Sequence, residues 1–170
     1  MERTQWIERK FAFEFPEGWI NNILERLRGT ESRIRTMTNG LSDDALQSKK
    51  HGKWSIKEHI GHLADIEDLH TGRLVEFNER RTDLRPADMS NPRTHGAGHN
   101  AKSLEDVILE FSHKRAELIS MFEKMDEETQ RFKSMHPRLK IHMRPVDVAF
   151  FAAEHDDHHL ADIRELLKNL

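Results

Sequence analysis

Ala153-Glu154-His155-Asp156-Asp157-His158-His159-Leu160 is the stretch from which the rest of the chain can be read. It lies in a helical pattern that starts near Pro145 to Asp147, where proline suits the first turn, and runs to the C-terminal residue. At ~100° per residue, Val148, Ala152, His159, Ile163, Leu166 and Leu170 fall within about 80° of His155. His155 and His159, four apart, share this apolar face and point toward other helices. Two buried imidazoles are costly unless their nitrogens are satisfied, and one metal ion can satisfy both. His158 falls at the margin of the stripe. Asp156 and Asp157 lie further round, with Asp156 either orienting a ligand or simply solvated.

Working back from this helix, three other long segments carry helical periodicity. The first runs from about Glu17 to Asn39, with Ile20, Ile23, Leu24, Leu27, Ile34 and Met37 on one stripe and Asn39-Gly40 as its stop. Leu41 to Leu46 reads as a short helical turn. The second long helix starts at Ser55, where Ser55-Ile56-Lys57-Glu58 fits a capping box, and reaches about Phe77. The third starts at Ser103, with Asp106 three residues on. Ahead of all four, Phe11, Phe13 and Phe15 alternate with Ala12 and Glu14, which predicts a short extended arm laying three rings on the helices. The connections from Glu79 to Lys102 and from Asp126 to Arg144 are long, as in lids and binding loops. In the first of them Asn91, His95, His99 and Asn100 are candidate substrate contacts, with plain polar loop residues as the alternative. The pattern predicts an all-α, four-helix bundle with at least one crossover, residues 1–170 forming a single domain.

Composition narrows the function. The 170 residues carry a net charge of -3 and give no basic footprint for nucleic acid. No apolar run approaches the ~20 residues of a membrane span, and Met1-Glu2-Arg3-Thr4 opens no signal peptide, so a cytoplasmic location is expected. There is no cysteine. Any metal must therefore be held by nitrogen and oxygen, and thiol chemistry would need an external thiol.

A third ligand must come from another helix, and His62 on the second is the candidate. Gly61 beside it costs helix propensity, about 1 kcal/mol against alanine, which close packing or room for a ligand would explain. Asp65, one turn on, could accept a hydrogen bond, approach the metal or act as a base; Glu154 is the other local carboxylate. Glu67-x-x-His70 and Asp156-x-x-His159 resemble the carboxylate-x-x-His motif of di-iron bundles, but that site needs two further inward glutamates. Glu25, Glu31, Glu110 and Glu117 only flank the apolar stripes. His51, His113, His136 and His142 read as surface or loop residues.

Two segments carry a family resemblance. Trp54-Ser55-Ile56-Lys57-Glu58-His59-Ile60-Gly61-His62-Leu63-Ala64-Asp65 resembles the W-[ST]-x-x-E-x-x-x-H-[LV]-x-D segment of the DinB-like superfamily, and His155-x-x-x-His159 is similar to its second signature on the last helix. The resemblance implies an up-down-down-up bundle and three metal-binding histidines at His62, His155 and His159. It implies one divalent ion, zinc or nickel first, with iron, cobalt or manganese compatible. Relatives include bacillithiol transferases, mycothiol-dependent maleylpyruvate isomerases and proteins described as metal-dependent hydrolases. The expected function is accordingly a thiol-dependent S-transferase-like enzyme that uses an external low-molecular-weight thiol on a small-molecule electrophile. A metal-dependent hydrolase and a non-catalytic metal-binding stress-response protein are the alternatives. A homodimer is common among small bundles and stays open.

Overall fold

The computed structural model describes residues 3–49 and 52–170; His51 lies outside them, as do Met1 and Glu2. In chain order the helices are α1 (Ile20–Thr38), α2 (Asp43–Gln47), α3 (Ile56–Asn78), α4 (Pro92–Gly96), α5 (Leu104–Glu123), α6 (Glu127–Arg131) and α7 (Pro145–Leu167). The four long ones begin where local chemistry dictates. Ser55 and Glu58 form the reciprocal capping box of α3, and Ser103 accepts the Asp106 N–H at the start of α5. Pro145 opens α7, and the Arg144 N–H donates to Asp147 Oδ2 at 2.8 Å.

Contacts between helix starts fix their directions. Ser55 Oγ donates to Asn100 Oδ1 (2.6 Å) and Lys57 Nζ to the Lys102 carbonyl (2.7 Å), so α3 and α5 begin at one end and run the same way. The Arg144 guanidinium donates to the Phe15 carbonyl (2.9 Å), so α7 begins beside the chain entering α1. The result is an up-down-down-up bundle in which residues 79–102 climb back along its length. That crossover is not structureless: it holds α4 and a 3₁₀ turn at His99–Ala101. The second long connection holds α6 and a two-residue antiparallel pair, β1 (Ser134–Met135) with β2 (His142–Met143). The arm is extended as expected, without strand pairing; Phe11 lies against Phe151 and Phe15 against Phe150, with ring centroids 5.1 and 4.5 Å apart. None of the described helices is long and apolar enough to cross a membrane.

Two apolar clusters fill the bundle, one around Leu27, Phe77 and Phe122, the other around Ile34, Ile60 and Phe111. A charged layer joins α3, α5 and α7. Arg115, stacked on Phe111, reaches Glu67 Oε1 (2.6 Å) and both oxygens of Asp156 (2.6 and 2.9 Å), while Thr30 donates to Asp156 at 2.7 Å. Asp156 is fully buried, which corrects the solvated reading. This pairing also answers the di-iron alternative, because Arg115 already engages the carboxylates of both carboxylate-x-x-His motifs.

Burial alone would raise the Glu67 pKa, but Arg115 and His70 hold it down at about 2. A folded pKa below the unfolded 4.5 adds stability that is present above pH 4.5 and lost as pH falls toward 2. Thermal midpoints measured against pH should therefore drop through this window. In Arg115→Met the share of this drop owed to the Arg115–Glu67 pair should disappear, leaving a shallower fall through the same window.

Candidate metal centre

His155 and His159 from α7 meet His62 from α3 in one group, each offering a nitrogen within 4.8 Å of the others. All three are buried, and Nε2 of His155 and His159 approach to 3.2 Å. Burial first, and neighbouring imidazoles second, push His155 and His159 well below the usual histidine pKa. Burial likewise takes His62 down to about 4, against the pull of Asp65. Three neutral rings therefore present lone pairs at neutral pH, the state a metal ion requires.

Neighbouring hydrogen bonds choose the tautomer of His62. Thr94 Oγ1 donates to Asp65 Oδ2 (2.9 Å), so its lone pair accepts from His62 Nδ1–H (3.0 Å) and His62 Nε2 is left bare. His99 Nε2–H donates to the same carboxylate oxygen at 2.9 Å. Burial would raise the Asp65 pKa, but these two bonds lower it below the ordinary carboxylate value. On α7, His155 Nδ1 is buried without a partner, while His159 Nδ1 lies 2.9 Å from His59 Nδ1. A set of three imidazole nitrogens with an orphaned buried ring atom and no thiolate fits a divalent metal ion.

Gly61 is explained by the same network. A Cβ there would lie 2.3 Å from the buried ring of His99, which Asp65 holds in place. Gly61→Ala is expected to destabilise by about 1–3 kcal/mol of overpacking despite its better helix propensity. In a His99→Ala background the sign should reverse to a gain of up to ~1 kcal/mol. Urea unfolding of the four proteins in this cycle measures both signs.

His158 is outside the triad: its Nε2 lies 3.3 Å from Asp162 and its ring stacks on Trp6. A second group, His59, His159 and Asp162, shares His159 with the first. In the sequence His59 enters only as part of the Trp54–Asp65 segment. Its spacing of three from His62 was the available signal, since residues three apart share a face.

The triad opens on a cavity of about 460 Å³ whose walls include Trp6, Trp54, Ile66, Leu69, Met89 and Phe151. Of the loop candidates, Asn91 lines it. His95 is exposed beside Trp54, His99 is buried on Asp65, and Asn100 accepts the Ser55 hydroxyl, so these three are not cavity contacts. Neither carboxylate candidate lines the cavity. Asp65 is held by Thr94 and His99, and Glu154 faces another surface with Arg26 (2.7 Å) and Arg9 (3.6 Å). His113 and His142 are exposed, but His136 is 2% exposed and lines the cavity, against the surface reading.

The model of the DinB superfamily matches residues 26–163. YfiT from Bacillus subtilis, described as a probable metal-dependent hydrolase with an unusual four-helix bundle topology, shares the fold with a TM-score of 0.77 at 16% identity, over 95% of this chain and 93% of its own. The mycothiol-dependent maleylpyruvate isomerase gives a TM-score of 0.67 at 12% identity, over 88% of this chain and 61% of its own. No curated protein matches the sequence. The family match spans most of the chain, and with the up-down-down-up helix order it places the protein in the DinB superfamily.

Proposed function

We propose that His62, His155 and His159 hold one divalent ion, and that the protein transfers an external low-molecular-weight thiol to a small electrophile. The observation that carries this reading is the convergence of three neutral, buried imidazoles on a cavity whose neighbouring carboxylates are all engaged. A divalent ion held by these three side chains would supply Lewis-acid chemistry, lowering the pKa of a thiol bound to it.

The chain's own residues then have distinct tasks. Thr94 and Asp65 orient His62 through its Nδ1–H. With His159 Nε2 directed to the ion, its Nδ1–H donates to His59 Nδ1, so the remaining proton of His59 sits on Nε2. The apolar walls exclude water from the electrophile. In the transfer, the thiol sulfur forms the new bond to carbon, the leaving group departs with its electron pair, and the thiol proton passes to solvent. With no cysteine in the chain, that sulfur comes from outside. A thiol-dependent relative in the same fold supports the choice.

Hydrolysis is the second reading, favoured by Asp162, which lines the cavity in the His59–His159 group, and by the description of YfiT. Against it, Asp162 is already engaged by Arg3 and His158. Cobalt-loaded protein should change its visible spectrum when thiols are added and should form S-conjugates with chlorodinitrobenzene that disappear on chelation. An unchanged spectrum, or turnover of ester and amide panels without thiol, would sink the transferase reading.

A further inference from the structure

Away from the histidine triad, the same cavity carries two arginines that no carboxylate among the described residues pairs with. Arg73 is 2% exposed; its Nε and Nη2 donate to the Arg85 carbonyl (3.2 and 3.1 Å), and no carboxylate among the described residues pairs with it. Burial, with Arg138 and Arg85 acting against Glu76, brings its pKa down to about 10. The Arg138 guanidinium lies over the rings of Trp6 and Phe151 (5.8 and 5.7 Å from their centroids), and its Nη2 is buried without a partner. Its Nη1 makes one long bond to the Ile7 carbonyl (3.4 Å).

His136 adds a neutral donor. Its Nδ1 accepts the Leu139 N–H (3.2 Å), so its proton is on Nε2, which is buried and unpartnered. Burial, and then Arg73 and Arg138, press its pKa to about 3. All three residues line the cavity. The two acids on the cavity wall are engaged elsewhere. Asp88 accepts the Ser90 N–H and hydroxyl (3.0 and 2.7 Å), and Asp162 takes Arg3 and His158. Leaving a buried donor unpaired is costly, and more so when it is charged, so a wall built this way is completed by an anion. The Trp6 ring lies 5.0 Å from the His155 ring and also carries the Arg138 guanidinium. One indole therefore touches both the triad and the cationic wall.

We propose that Arg73, Arg138 and His136 form an oxyanion subsite that holds the carboxylate or phosphate of a small molecule, whose apolar body lies along Trp6 and Phe151. This names the substrate class of the transfer proposed above and rests on that reading for placing the reacting end at the triad. The anion contact itself needs no metal.

The test uses the full chain before and after chelator treatment, with binding followed by calorimetry and by the fluorescence of Trp6 and Trp54. The probes are 3-phenylpropionate, phenyl phosphate and the neutral 3-phenylpropanamide. At least one anion should bind roughly tenfold or more tightly than the amide, with or without metal. Which anion wins distinguishes a carboxylate from a phosphate ligand. Arg138→Gln and His136→Phe should each remove most of that preference while leaving metal content at the wild-type value. Equal binding of acids and amide, or a preference that survives both substitutions, overturns the subsite. Failure of the metal reading appears separately, as absence of bound metal in the wild-type protein.

Discussion

His155→Ala and His159→Ala should each strip the protein of bound divalent metal, while His158→Ala should retain it. The three residues lie within five positions on one helix, so composition and local charge barely distinguish them. Geometry does: His155 and His159 share the buried group with His62, and His158 stands apart on Asp162 and Trp6. Elemental analysis of zinc-loaded, desalted proteins reads the outcome directly. Thr94→Val should weaken metal binding by the ~10–100-fold typical of losing a hydrogen-bonded support to a ligand, and the ligand variants by more. Zinc at a hundred times its Kd should stabilise the wild type by about 2.7 kcal/mol, and that increment should vanish in His155→Ala and His159→Ala. Equal metal loss in all three histidine variants, or loss only at His158, contradicts the assignment.

Arg115→Met carries the largest expected stability cost. It leaves Glu67 and Asp156 buried without the guanidinium that both accept from. Removing one partner of such a buried network costs about 3–5 kcal/mol, or roughly 10–15 °C in the melting midpoint of a chain this long. The triple variant Glu67→Gln, Arg115→Met, Asp156→Asn should recover most of the loss, because no uncompensated charge then stays inside. Chemical denaturation of the single and triple variants measures both effects. A triple variant no more stable than Arg115→Met would show that the layer matters through packing, not charge.

These two cases mark what local sequence does and does not encode. Ser55, Ser103 and Pro145 act on backbone within three residues of themselves, so the helix starts were legible. His155 and His159 were legible because a helical stripe is set by periodicity within one segment. Asp156 was not: the partner that draws it inward, Arg115, is 41 residues away on another helix, and no wheel drawn for α7 contains it. Asp65 was open for the same reason. Its neighbourhood on α3 allowed a hydrogen-bond acceptor, a metal contact or a base, and the returning crossover brings Thr94 and His99 onto it as donors and makes it a support for His62. His136 sits in a turn, where exposure is the ordinary expectation; Arg73, Arg138 and Phe151 enclose it instead.

The site itself is most directly tested by anomalous diffraction from crystals grown with the metal-loaded protein, collected on both sides of the metal absorption edge. One peak at bonding distance from nitrogens of His62, His155 and His159, with a coordination position facing the cavity, is the predicted result. A peak in the His59, His159 and Asp162 group, or no ordered ion at either, would contradict the three-histidine centre.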